Sequence, residues 1–244
     1  MNWQIHYRIY RQKSAGDKAH YDDFTIEMEP DESVLDGVEK IWAQQDRSLT
    51  FRHACHHASC GTCGMRVNGV EKLTCVTLIQ DVARDGDTLV IEPMRHFPVV
   101  SDLVVDMAPF FEKMKRAEFS IIRHAEPTLA NLRPVPADEE HFNRFEDCIE
   151  CGLCVSACPI AGTDDAFLGP AALAGIWRMV EEPRGHDPKA LLRLADDAHG
   201  AWRCHTALEC TAVCPSNVDP GRQIMQMRRR LIVERLKSLF GLSR

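Results

Sequence analysis

Nowhere in the 244 residues is there a run of 18 apolar side chains, and the longest apolar stretches, such as Ala171 to Trp177, reach at most half of the ~20 residues that cross a bilayer. The chain is therefore not expected to span a membrane by itself. Met1 to Tyr10 mixes Gln4, His6 and Arg8 with apolar residues and lacks the basic-then-apolar order of a secretory signal. No Gly-x-Gly-x-x-Gly follows a strand pattern, which leaves no nicotinamide or flavin fingerprint. Nor is there a serial repeat with a period of about 20 to 50 residues, so solenoids are excluded. Basic excess is missing too: 29 Lys and Arg against 36 Asp and Glu give a formal charge of −7, which argues against a nucleic-acid partner. Finally, the cysteines do not come in an even number. Eleven of them, tightly spaced, would leave one thiol over in a disulfide framework and strain several bridges, so reduced metal ligands are the better reading.

What is present falls into two parts. Trp3, Ile5, Tyr7 and Ile9 alternate with polar residues, as do Phe24, Ile26 and Met28, the period of half-buried strands. After Pro30 and Asp31, Ser33 can cap a helix whose Val34, Leu35, Val38, Ile41 and Trp42 share one face. Met65–Val67 and Val70–Leu73 flank Asn68-Gly69, a strong hairpin signal, and Thr88–Ile91 forms a last strand stopped by Pro93. The first hundred residues thus read as a small mixed sheet with one helix. From Phe97 to Phe145 prolines 98, 109, 127, 134 and 136 break up short helical pieces, and Cys148 to Arg244 is patterned as helix. We place the domain boundary at 97/98, giving domains 1–97 and 98–244.

Three cysteine groups carry the chemistry. Cys55, Cys60, Cys63 and Cys75, spaced x4, x2 and x11 in a loop with Gly61 and Gly64, follow plant-type ferredoxin spacing and present four thiolates to a 2Fe-2S cluster. Structural zinc is the alternative, but its ligands usually come as C-x2-C knuckles. Cys148, Cys151, Cys154 and Cys158, followed by Pro159, are spaced x2, x2, x3, the two-cluster ferredoxin run in which the fourth Cys ligates the other cluster. Cys204, Cys210 and Cys214-Pro215 repeat that template with Ala207 where the second ligand belongs. The crossing rule then assigns Cys148, Cys151, Cys154 and Cys214 to a 4Fe-4S cluster, and leaves only Cys158, Cys204 and Cys210 for the other. An iron opposite Ala207 has no protein ligand, so a 3Fe-4S cluster is expected. A 4Fe-4S cluster with water or hydroxide on one iron is its rival. Such clusters move single electrons, and three in one chain make a relay between partners.

The order of these motifs, with Phe97-Pro98, Asp102-Leu-Val-Val-Asp106, Cys148-Ile-Glu-Cys-Gly-Leu-Cys154, Gly169-Pro-Ala-Ala172 and Cys214-Pro-Ser-Asn-Val-Asp-Pro220, resembles the iron-sulfur subunit of succinate dehydrogenase and fumarate reductase over nearly the whole chain. The resemblance implies an α+β chain: an N-terminal β-grasp 2Fe-2S ferredoxin domain followed by an all-α helical ferredoxin domain. It further implies an FAD-containing flavoprotein partner that holds the dicarboxylate site, and one or more membrane anchor chains with or without haem b. Electrons would pass between flavin and quinone through 2Fe-2S, 4Fe-4S and 3Fe-4S, in a succinate:quinone oxidoreductase or quinol:fumarate reductase. The subunit would lie peripherally on the cytoplasmic face of the inner membrane. Pro159 and His205 match positions lining the family's quinone pocket, Arg228 stands where the family usually has lysine, and Thr163 where it carries tryptophan.

Two further features are noted. His56 and His57 lie inside the first cluster loop, but with all four Cys present a Rieske-type centre is not required, and they read as exposed loop residues able to tune the cluster by hydrogen bonds. Arg222 to Arg244 is basic, with an apolar stripe of Ile224, Met227, Leu231, Ile232, Leu236, Leu239 and Phe240. It reads equally as a helix docking to a membrane or anchor and as a terminal helix packed on its own domain.

Overall fold

Strand alternation in the first thirty residues produces the expected pair: β1 (Trp3–Arg11) and β2 (His20–Met28) run antiparallel, with Tyr7 opposite Phe24. The computed structural model describes residues 2–117, 147–181 and 188–241. They divide into two units, Met1–Pro109 with Ile149–Ala157, and Phe110–Cys148 with Cys158–Arg244. Prolines 127, 134 and 136 and Phe145, read above as helix breakers and their limit, lie outside the described residues.

In the first unit, helix α1 (Val34–Gln44) starts at Ser33, whose hydroxyl accepts from the Asp36 amide while the Asp36 carboxylate accepts from the Ser33 amide. This reciprocal cap satisfies two otherwise orphaned donors. β3 (Gly64–Val67) and β4 (Val70–Leu73) form the hairpin at Asn68-Gly69, α2 (Ile79–Val82) follows, and β5 (Thr88–Glu92) runs parallel to β1. The sheet order β2-β1-β5-β3-β4 is mixed. Val34, Val38 and Ile41 of α1 share a fully buried core with Ile5, Tyr7, Ile9, Leu89 and Ile91 of the sheet. Gly37 lets the helix close on the Tyr7 ring, whose hydroxyl donates to the Val34 carbonyl (3.2 Å).

This unit continues past Phe97. A hairpin of β6 (Val99–Ser101) and β7 (Val104–Val105) turns at Asp102, whose buried carboxylate accepts from the amides of Gln12 (3.0 Å) and Thr50 (2.9 Å) and pairs with Arg11 (3.3 Å). Those bonds fasten the hairpin to the end of β1. The segment Ile149–Ala157 joins the same unit through α4 (Leu153–Ala157), where the Ser156 hydroxyl donates to the buried Glu71 carboxylate (2.9 Å) and accepts from the Arg95 amide (2.8 Å).

The second unit is helical. α3 (Ala108–Arg116) leads into it, and α5 (Pro170–Glu181) is its centre, with Leu173, Ala174 and Ile176 wholly buried. That burial explains the apolar stretch near Ala171: a helix apolar all round is a core helix. α6 (Pro188–Ala195) packs on α5, and the short α7 (Glu209–Ala212) precedes α8 (Pro220–Leu239), which packs along α5. The stripe of α8 divides along its length. Ile224, Met227 and Leu231 are buried, whereas Ile232, Leu236, Leu239 and Phe240 are exposed, Leu239 at 77%. Among the described residues no helix is long and apolar enough to cross a membrane.

Candidate metal centres

The first centre is a loop held open by backbone geometry. Between Phe51 and Gly64 the chain lacks regular structure, and His56, Ala58 and Gly61 all have left-handed φ values (58°, 59° and 70°). Such turns aim successive amides at one point and form anion-binding concavities. Here the amides of His57 (3.5 Å), Ser59 (3.3 Å) and Cys60 (3.4 Å) all donate to Cys55 Sγ. Their bonds, that of His57 first, draw the Cys55 thiol down to about 6 from its ordinary 9.0, against the opposing effect of burial. The β3–β4 hairpin closes the long x11 spacing. Gly64 pairs with Leu73, which sets Cys63 opposite Thr74, and the Thr74 hydroxyl donates to the Cys63 carbonyl (2.8 Å). Cys75 follows directly; burial, with Cys63 and Cys55 nearby, pushes its thiol up to about 11 despite the Ala58 amide. Amides that stabilise the Cys55 thiolate, beside a Cys75 thiol that resists ionisation on its own, fit a cationic iron centre, since metal binding deprotonates such ligands.

A long-range contact links this loop to the second motif. A Cβ built on Gly61 meets Cys151 Cβ at 2.8 Å, Cys151 Cα at 2.9 Å and the Ile149 carbonyl at 2.9 Å. Gly64 lies against Leu153, and Gly152 (φ 78°) against Met107 and Phe97. Cys151 and Cys154 therefore stand in the first unit with the 2Fe-2S loop, and glycine is required at 61 by both conformation and space. Cys148 and Cys214 belong to the second unit. Around Cys214, the Val218 amide donates to its sulfur (3.4 Å), and Asn217 and Asp219 take left-handed backbones (φ 53° and 52°). The Asp219 carboxylate caps α8 at the Arg222 amide (3.1 Å) and accepts from Thr211 (2.8 Å). Much of the Cys214–Pro220 motif thus serves this turn.

The third centre lies wholly in the second unit. Cys158, Cys204 and Cys210 line one small cavity together with Ala207, Pro159 and His205. The loop from Cys204 to Cys210 is shaped by left-handed Thr206 and Leu208 (φ 60° and 64°) on either side of Ala207. The Thr206 amide donates to Cys204 Sγ (3.4 Å). Burial raises the Cys158 thiol, and burial with the neighbouring Cys158 and Cys204 sulfurs pushes Cys210 up to about 12. Three cysteines and Ala207 thus border the same space.

Of the residues expected near a quinone, Pro159 and His205 are exposed and line this cavity. Arg228 does not line it: its Nε donates to the Ala201 carbonyl (2.8 Å) and Nη2 to the Cys204 carbonyl, so it grips the backbone at Cys204. Thr163 donates to the Ile160 carbonyl (2.9 Å), an intrasegment bond. His57 lies over the Cys55 carbonyl, whereas His56 meets two residues that spacing around the cysteines does not single out, Glu39 and His53.

With the geometry in view, comparisons with known proteins agree with it. Residues 6–112 match the family model of the 2Fe-2S iron-sulfur cluster binding domain, and residues 144–218 that of the 4Fe-4S dicluster domain. The chain is 39% identical over 212 residues to the fumarate reductase iron-sulfur subunit of Mycobacterium tuberculosis, covering 85% of this chain and 84% of that one. It is 31% identical over 232 residues to the mitochondrial succinate dehydrogenase [ubiquinone] iron-sulfur subunit of Candida glabrata, covering 92% and 90%. Among solved structures, a chain of the Mycobacterium smegmatis Sdh1 complex in the apo form is similar at a TM-score of 0.80 and 26% identity, covering 96% of this chain and 98% of that chain.

Proposed function

Because the chain belongs to the family of iron-sulfur subunits of fumarate reductase and succinate dehydrogenase, we propose that it is the electron-relay subunit of a succinate:quinone oxidoreductase or quinol:fumarate reductase, conducting between an FAD subunit and a quinone site. It binds a 2Fe-2S cluster and carries a dicluster fold; the dicarboxylate chemistry belongs to the flavoprotein. The observation that carries the reading is the contact of Gly61 with Cys151, which sets the 2Fe-2S loop directly against a ligand of the next centre within one folded unit. Bound clusters would supply one-electron steps.

The finer assignment is also ours. Cys55, Cys60, Cys63 and Cys75 hold the 2Fe-2S cluster, Cys148, Cys151, Cys154 and Cys214 the 4Fe-4S cluster, and Cys158, Cys204 and Cys210 a 3Fe-4S cluster. The functional division is 1–97 for the first and 98–244 for the other two. The cavity shared by three sulfurs and Ala207 supports the 3Fe-4S reading. Quinone is bound at the exposed side of that cavity by Pro159 and His205 with residues of the anchor, and Arg228 acts there by positioning Cys204. The exposed Ile232, Leu236, Leu239 and Phe240, with Arg229, Arg230 and Lys237 on the same helix, support attachment to the cytoplasmic face of the membrane through an anchor chain.

Ala207→Cys in the purified complex tests the cluster assignment. The oxidised wild type gives a 3Fe-4S paramagnetic signal, which the variant loses as the site converts to 4Fe-4S. A wild type with full iron content and no 3Fe-4S signal would favour the water-ligated 4Fe-4S rival instead.

A further inference from the structure

We propose that Glu39, His53 and His56 form a binding site for a borderline divalent cation of the zinc type, separate from the iron-sulfur centres. Glu39 projects from α1, and His53 and His56 from the cluster loop, where His56 takes a left-handed backbone (φ 58°) rare for a residue with a side chain. Glu39 Oε1 lies 3.0 Å from His53 Nδ1 and 3.2 Å from His56 Nε2, and the two ring nitrogens are 3.2 Å apart.

Hydrogen bonding alone accounts poorly for this triangle. Glu39 Oε1 is sealed from water and has no hydrogen-bond partner, its two imidazole neighbours standing at ion-pair distances that carry charge only if a ring is protonated. A buried carboxylate oxygen left without a donor is costly. Three ligand atoms gathered this closely, of which both imidazoles can offer a lone pair once their mutual hydrogen bond is given up, are instead what a cation requires. In a tetrahedral zinc site, donors about 2.0–2.1 Å from the metal stand about 3.3 Å from one another, close to the 3.0–3.2 Å sides found here. The three would form one face of the tetrahedron. The fourth position opens to solvent, because the His53 and His56 side chains are 47% and 41% exposed.

Ring orientation is fixed by packing. His53 stacks on Phe51 (centroids 5.2 Å, 25°), Phe51 sets its edge to Trp42 of α1 (6.4 Å, 76°), and His56 stands perpendicular to His53 (87°). Two imidazoles and a carboxylate favour Zn²⁺, Ni²⁺ or Cu²⁺ over Mg²⁺ or Ca²⁺, which take oxygen donors. Occupied, the site ties α1 to the loop one residue after Cys55. It leaves the four cysteine ligands untouched.

The test uses the purified complex with its clusters in place, dialysed against Zn²⁺ and counted for zinc and iron by mass spectrometry. Wild type and His20→Ala, a control exposed histidine, should each carry one zinc more per copy of this chain than His53→Ala and Glu39→Gln, with iron and the 2Fe-2S signal equal in all four. Glu39→Gln keeps the side chain's shape, so its loss of zinc reports ligation rather than misfolding. Cu²⁺ in place of Zn²⁺ should show electron-spin coupling to two nitrogens, absent in His53→Ala. Equal zinc in all four proteins, or copper without nitrogen coupling, would overturn the proposal.

Discussion

Replacing Gly61 by alanine is the sharpest perturbation of the contact between the first and second cluster motifs. The residue has φ +70°, and an L side chain held left-handed costs about 1–2 kcal/mol. In addition, its Cβ would stand 2.8–2.9 Å from Cys151 Cβ, Cys151 Cα and the Ile149 carbonyl, of which two are backbone atoms. Overpacking against groups that cannot rotate away costs about 1–3 kcal/mol more. The total, about 2–5 kcal/mol, has to be relieved by withdrawing the loop from Cys151. Denaturant unfolding of the complex should show the loss of stability. Electron paramagnetic resonance of the reduced protein should show weakened magnetic interaction between the 2Fe-2S and 4Fe-4S centres. Gly64→Ala is the control: its Cβ is tight only against the movable ends of Leu153 and Met94, at 3.2 and 3.3 Å, and meets the Cys151 carbonyl at an ordinary contact distance of 3.5 Å, so the cost should be smaller. A Gly61→Ala protein with wild-type stability and unaltered spin interaction would refute the reasoning.

Asp102 predicts a pH dependence. Burial would raise its carboxyl, but the amides of Thr50 and Gln12 and the charges of Arg11 and Lys13 prevail and hold it below the ordinary 3.8. Its stabilisation is therefore complete above the unfolded value and lost as pH falls through the lower folded one. Asp102→Asn should cost about 2–3 kcal/mol at neutral pH and flatten the acid limb of a stability–pH profile; an unchanged limb would contradict the assignment. Arg228→Met removes two charge-assisted bonds to the Ala201 and Cys204 carbonyls, with a cost of about 2 kcal/mol. It should lower the 3Fe-4S signal while sparing the 2Fe-2S signal, and Arg228→Lys, which keeps the charge but not the fork, should restore only part of it.

Local pattern made much of this molecule legible. Alternation located β1 and β2, the Ser33 cap located α1, and Asn68-Gly69 located the hairpin that brings Cys63 and Cys75 together. Cysteine spacing, a one-dimensional property, proposes the three groups because short loops must wrap a cluster. The α2 turn and the β6–β7 hairpin were not legible. They are short, and the second is held by Asp102 bonds to residues 90 and 52 positions away. For the same reason the sequence did not show that Ile149–Ala157 folds with the first unit, since its anchors are Glu71, Arg95 and Gly61. That Arg228 grips the Cys204 carbonyl was not legible, because this neighbour across the fold leaves no mark in the chain. Glu39 and His53 gave no signal at all, being ordinary surface types until folding sets them beside His56.

The most direct test of the relay is paramagnetic resonance of the intact complex, poised first oxidised and then with succinate. The account predicts a 3Fe-4S signal that succinate abolishes and added quinone restores, with one 2Fe-2S spin per flavin after dithionite. A fully loaded complex in which the dicarboxylate leaves every cluster signal unchanged would contradict it.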